Sequence, residues 1–308
     1  MKRKEFIWSG LIATGASVLP NVSAAKAPAP KKSFRFAFIS DIHVKPGAIP
    51  EAGMTKAIAH VQQLTPKVDF IINGGDCIMD ALEAKKESVQ KQWDLYHAIM
   101  EAANKLTVYP CIGNHDVYGW FQKVPDTTNP LYGKNWVLKE LKMPDRYYQF
   151  KKGSWNFIVL DSTQNNPAGG YIGKIDEVQF AWLSNKLAEI PSPEHICIIS
   201  HIPILSICSG LFFNKTEANG DLMIKRNLMH SDFLLLKQLF NKYPNIKTCL
   251  SGHIHLQDEV HYHGINYYCN GAISGNWWSG PFQEFDPAYA VFDFYDDGTC
   301  KREMISYG

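Results

Sequence analysis

Asp41-Ile42-His43, Gly75-Asp76, Gly113-Asn114-His115-Asp116, Ser200-His201 and Gly252-His253-Ile254-His255 are short fragments scattered from residue 41 to residue 255, and each ends or directly follows an apolar run. Together they offer three carboxylates, one amide and five imidazoles. That is the donor inventory of a two-metal hydrolase. Two divalent cations about 3.5–4 Å apart repel each other and need anionic and imidazole ligands from several directions, with a carboxylate bridging them. No single helix or loop supplies such a set. An open α/β sheet does, because the carboxyl ends of its strands gather in one crevice however far apart they lie along the chain.

The elements that must position these groups follow from hydrophobic spacing. Phe34 to Ser40 reads as a strand delivering Asp41 and His43, and Met54, Ile58, Val61 and Leu64 recur at helical spacing before a second strand at Val68 to Asn73. A polar helix over 87–104 leads to a strand at 107–112 and the Gly-Asn-His-Asp loop. Strand alternating with helix implies parallel pairing and right-handed crossovers. Tyr147 to Leu160 reads as a hairpin ending at Asp161. Phe180, Leu183 and Leu187 mark a helix, 195–200 a strand carrying His201, and Ser231 an N-cap for a helix that stops at Tyr243-Pro244. Ile246 to Ser251 carries Gly-His-Ile-His, and strands and turns follow. This predicts an α/β fold of two mixed β-sheets face to face with helices on the outer faces.

These fragments, in this order, resemble the calcineurin-like metallophosphoesterase superfamily, from Phe34 to about Ile305. The resemblance implies a four-layer αββα sandwich with the metal site at the carboxyl ends of the strands. It further implies one ion held by Asp41, His43, Asp76 and His255, and a second held by Asp76, Asn114, His201 and His253. Asp76 bridges, and water between the two Lewis acids loses a proton and becomes the nucleophile. His115 is expected to point at the substrate, protonating the departing alkoxide or stabilising phosphoryl charge, with Asp116 orienting it. The purple acid phosphatase pattern would place tyrosine three residues after Asp76, where this chain has Met79. His43 instead brings the chain closer to the group containing bacterial cyclic-nucleotide phosphodiesterases and related exported phosphoesterases. His60, His97, His195, His230, His261 and His263 read as structural or surface residues.

The 308 residues, 45% hydrophobic and 20% charged, suffice for a large core, and a formal charge of +1 argues against a nucleic-acid binder relying on bulk positive charge. Lys2-Arg3-Lys4, an apolar run from Phe6 to Leu19 and Val22-Ser23-Ala24 have the three-part form of an export signal. Residues 1–24 are therefore expected to be a signal of Sec or Tat-like type, 25–33 a linker and 34–308 one catalytic domain, periplasmic or extracellular, with no membrane span after cleavage. An uncleaved anchor is the alternative. Cys77, Cys111, Cys197 and Cys249 fall in strand-like runs and read as core thiols, while Cys208, Cys269 and Cys300 leave room for a bridge.

Aromatic residues on loops past the ligands, Tyr118, Trp120, Trp277 and Trp278, are candidates to pack against the substrate or simply to cover the site. Phe212 and Phe213, in a 206–226 insertion, are lid candidates. The function expected is hydrolysis of a small phosphate ester by a pair of manganese, iron or zinc ions, a diester in preference to a monoester of nucleotide or sugar. A non-catalytic ligand-binding protein on the same fold, and a glycan-binding module using Trp277 and Trp278, are the readings of other classes. Binding that survives chelation would mark the latter.

Overall fold

A computed structural model describes residues 29–308 except Ala168 and Asn214. The expected signal, 1–24, lies outside the described residues. Lys31–Gly308 form one compact unit. In chain order, β1 (Lys32–Ile39) passes through α1 (Ala48–Gln63) to β2 (Phe70–Asn73), and α2 (Lys86–Ala103) leads to β3 (Val108–Pro110). Then come α3 (Asn135–Glu140), the hairpin β4 (Tyr148–Lys152) and β5 (Trp155–Leu160), the short pair β6 (Thr163–Asn165) and β7 (Tyr171–Gly173), α4 (Glu177–Glu189) and β8 (His195–Ser200). An insertion holds α5 (Cys208–Leu211), β9 (Lys215–Thr216) and β10 (Leu222–Met223). The chain ends with α6 (Phe233–Phe240), β11 (Ile246–Ser251), β12 (Gln257–Tyr262), β13 (Ile265–Asn270), β14 (Ala288–Tyr295) and β15 (Cys300–Ser306).

Two large mixed sheets result, ordered β15-β14-β1-β2-β3 and β12-β13-β11-β8-β5-β4. β1, β2 and β3 run parallel in the first, and β5, β8, β11 and β13 in the second. The apolar runs are continuous because these strands are buried on both faces. Along β1, Phe34, Phe36 and Phe38 enter the core between the sheets while Ala37 and Ile39 face the layer of α1 and α2. Along β5, Trp155, Phe157 and Val159 point inward, and Ile158 and Leu160 meet α4 and α6. Phe36 stacks between Phe70 (centroids 5.1 Å apart) and Phe292 (5.3 Å), each such pair adding about 0.5–1.5 kcal/mol beyond area burial. The architecture is the αββα sandwich.

Some boundaries differ from the sequence reading. β1 begins at Lys32, inside the expected linker, because its backbone already pairs with Tyr295. The N-cap of α6 is Asp232; Ser231 instead donates its hydroxyl to the Gly173 carbonyl (3.0 Å). All seven cysteines are free thiols, Cys208 and Cys269 buried and Cys300 partly so, so none of the three forms a bridge. Among the described residues no helix is long and apolar enough to cross a membrane.

Candidate metal centre

Each parallel strand that ends at the crevice hands its chain to a ligand loop, and the loops continue to pair past the strand ends. Asp41 N–H donates to the Gly75 carbonyl and His43 N–H to that of Asp76, both at 3.0 Å. Asp41, His43, Asp76, His253 and His255 all have φ between 48° and 74°. Left-handed backbone at a residue with a Cβ costs on the order of 1–3 kcal/mol and persists only where surrounding contacts over-determine it. Here those contacts turn the side chains back over the strand ends instead of outward.

The side chains converge. His43 Nε2 lies 3.0 Å from His255 Nε2 and 3.9 Å from Asp41 Oδ1, and His255 Nε2 lies 3.4 Å from Asp41 Oδ1. On the other side, His201 Nε2 is 3.1 Å from Asn114 Oδ1 and 3.2 Å from Asp76 Oδ2, and His253 offers a ring nitrogen within 4.8 Å of both Asp76 and His201 donors. The same Asp76 Oδ2 is 3.6 Å from His43 Nε2, so one oxygen faces both groups. Its Oδ1 is held by the His115 N–H at 2.7 Å.

Donors about 2.0–2.1 Å from one cation and at right angles stand about 3 Å apart, which is the spacing of the closest donor pairs in each group, 3.0 Å in the first and 3.1 Å in the second. The second ring nitrogens agree with this. His255 Nδ1 donates to the Gly275 carbonyl (2.5 Å), so Nε2, 3.0 Å from His43 Nε2, is the ring nitrogen left to hold a cation. His253 Nε2 donates to the Asn227 carbonyl (2.7 Å), and its buried Nδ1 has no partner. An orphaned buried nitrogen is costly, and a cation at that position satisfies it. The residues present fit two cations.

Electrostatics point the same way. Burial and then the charge of His115 hold the His43 imidazole well below its usual range, and burial with the His201 charge holds His253 at about 4, so both are neutral donors. Burial would raise Asp41, yet the His255 hydrogen bond and charge bring it to about 2. Burial would lower His201, but Asp76 outweighs it and raises the imidazole to about 9, so without cations His201 is an imidazolium. A cation taking Nε2 must displace that proton. Divalent-ion affinity is therefore expected to climb with pH until about 9 and then level. Calorimetry in two buffers of different ionisation heat measures the released proton. Affinity independent of pH would exclude His201 as a donor.

His115 is half-buried, edge-on to His43 with centroids 4.6 Å apart. Its Nδ1 faces the Met79 carbonyl at 2.6 Å. The expectation that Asp116 orients it is corrected. Asp116 is fully buried and accepts from the N–H groups of Asp76 (2.9 Å), Cys77 (2.8 Å), Ile78 (3.3 Å) and Gly113 (3.0 Å). It ties the Asp76 loop to the Asn114 loop. Burial and the Asp76 charge push its carboxyl up to about 7.

Three of the four aromatic candidates have other employment. Tyr118 is buried edge-on against Trp136 (4.9 Å) in the helix-side core. Trp120 stands over the Lys134 ammonium (5.3 Å) and has no ring contact with a cluster histidine among the described residues. Trp278 packs so closely on Gly53 of α1 that a Cβ there would lie 2.1 Å from its ring, and its indole N–H donates to the His43 carbonyl (3.0 Å). Trp277 does face the site, 38% exposed, with its ring 4.3 Å from that of His255. Of the lid candidates, Phe213 packs toward Phe282 (5.9 Å) and Phe212 is exposed. Sequence reasoning missed Asn227 and Tyr171, whose ring is edge-on to His253 at 6.1 Å. A main-chain carbonyl leaves no side-chain signal, and Tyr171 stands outside every ligand fragment.

The pattern of the calcineurin-like phosphoesterase family matches residues 34–257. A 3',5'-cyclic-nucleotide phosphodiesterase of Nostoc sp. is 23% identical over 291 residues, 90% of this chain and 94% of that protein. A 3',5'-cyclic adenosine monophosphate phosphodiesterase of Escherichia coli is 30% identical over 202 residues, 63% of this chain and 62% of its own. Among solved structures, a dimetal phosphatase of Danio rerio superposes with a TM-score of 0.62 at 13% identity, over 90% of this chain and 100% of that one, a likeness of fold.

Proposed function

Since the chain belongs to the calcineurin-like phosphoesterase family and is a metal-dependent phosphoric ester hydrolase, we propose that its substrate is a small phosphodiester of the 3',5'-cyclic nucleotide class. The single observation that carries the two-metal reading is Asp76, whose one oxygen stands 3.2 Å from His201 Nε2 and 3.6 Å from His43 Nε2. Asp41, His43, Asp76 and His255 would hold one ion, and Asp76, Asn114, His201 and His253 the other. When bound, the pair supplies Lewis acidity to phosphoryl oxygens and lowers the pKa of water. Manganese, iron and zinc all suit such a mixed oxygen and nitrogen set.

The chain's own proton chemistry centres on His115. The Met79 carbonyl keeps a proton on its Nδ1, so any proton given or taken moves at Nε2. A protonated Nε2 facing the crevice can neutralise an alkoxide as it departs, which a cyclic nucleotide requires. His115→Ala is expected to lower kcat on 3',5'-cyclic AMP by about a hundredfold with metal content unchanged. On an ester whose leaving group is 4-nitrophenolate, stable without a proton, the loss should be within a few fold. Equal losses on both would remove the acid role. Chelation is expected to abolish turnover, and manganese, iron or zinc to restore it.

Export of the chain is part of the same proposal, supported by the basic start, apolar run and small residues of 1–24. Amino-terminal sequencing of the mature protein, expected to begin near Ala25, tests it.

A further inference from the structure

Beside the second ligand group lies a cavity of 490 Å³ that the mechanism above does not use. One wall is aromatic, with the rings of Tyr171 and Phe121 nearly parallel (13°) and their centroids 6.0 Å apart. The other wall is formed by Met223 and Ile224, 41% and 37% exposed. Adjacent apolar side chains left partly open at the mouth of a polar site give a ligand a surface to pack on. Lys225 and Arg226 line the rim, both exposed, and neither side chain has an ion-pair partner among the described residues. The groove adjoins the second ligand group at His253, because Tyr171 lies edge-on to that imidazole and the Asn227 carbonyl accepts from it.

A flat π-surface faced by a thioether and an aliphatic chain, with cations at the rim, is the chemistry that recognises a nucleobase carried by an anionic group. An acyl chain would fill the apolar walls but leave the two cations without purpose. Resting on the reading that the ester is a nucleotide, we propose that this groove is the base subsite. The phosphate lies at the cation pair, the base packs on Tyr171 between the two walls, and Lys225 and Arg226 draw the anion in.

Calorimetry on the manganese-loaded protein with adenosine 5'-monophosphate and with ribose 5-phosphate isolates the base, since both bring the same phosphate. The nucleotide is expected to bind about tenfold more tightly, the scale of one base–aromatic stack. Tyr171→Leu should bring that ratio close to one and Tyr171→Phe should keep it. Met223→Ala, from the opposite wall, should reduce it severalfold. Equal binding of the two ligands by the native protein would overturn the proposal. So would a Tyr171→Leu protein that binds both more weakly at an unchanged ratio, because that marks a residue that merely supports His253. Native protein that shows the ratio but leaves cyclic nucleotides intact would retire the cyclic-nucleotide reading and leave the base subsite standing.

Discussion

Asp76→Asn is expected to lower kcat/KM by roughly a thousandfold and to leave at most one tightly held metal per chain, with the thermal transition of the chelated protein little changed. The substitution is isosteric, so it opens no cavity, and the acceptor role toward the His115 N–H (2.7 Å) survives in the amide oxygen. What changes is charge at one atom. Oδ2 lies between His201 Nε2 at 3.2 Å and His43 Nε2 at 3.6 Å, where two cations would share it. A neutral amide no longer screens their repulsion, and if Nδ2 takes that place its hydrogens point at positive charge. Removing one preorganised electrostatic element from a dry site costs about 10²–10³ in rate even where no ion is lost. Loss of a metal adds to that. Metal analysis beside kcat/KM separates the two, and two metals per chain with native turnover would show that Asp76 does not bridge.

The donors were legible because chemistry chooses their types and strands choose their places. Asp41, Asp76, Asn114, His201 and His253 each follow an apolar run, and parallel strands deliver their carboxyl ends to one edge. What was not legible is what the donors lean on. The carbonyls of Gly74, Met79, Asn227 and Gly275 fix four of the imidazoles, and a carbonyl is present at every residue whatever its side chain. Adjacency alone pairs Asp116 with His115. The turn instead sends its carboxylate inward onto four N–H groups, an assignment only tertiary structure decides. Trp277 and Trp278 illustrate the same limit, since adjacent residues on one loop part company. One ring lies over His255 and the other lies against α1. Periodicity could not separate them, because both have left-handed backbone, φ 46° and 70°, outside any strand or helix.

The glycines of the ligand fragments supply the second large effect, and it is steric. Gly113 and Gly252 do not need the left-handed region, so conformational freedom is not what they provide. A Cβ on Gly113 would stand 2.1 Å from both the amide nitrogen and Oδ1 of Asp76. On Gly252 it would stand 2.0 Å from Ser40 Oγ and 2.3 Å from Asp41 Oδ2. Neither obstacle is the loose end of a flexible side chain. At Gly113 the obstacle is backbone, and at Gly252 it is the short Ser40 side chain together with a carboxylate that also accepts from the His253 N–H at 3.0 Å. Gly113→Ala is therefore expected to abolish measurable turnover by displacing the bridging residue, with both metals weakened. Gly252→Ala should displace Asp41 and empty the site it shares with His43 and His255, so that one metal remains. Gly153 is the contrasting case, with φ 55° and open space around it. There Gly153→Ala pays only in backbone strain, about 1–2 kcal/mol of stability, at full activity. Native metal content and turnover in Gly252→Ala would mean that the Asp41 loop yields, and the tight approach of β1 and β11 at the crevice would then not be what holds the ligands in place.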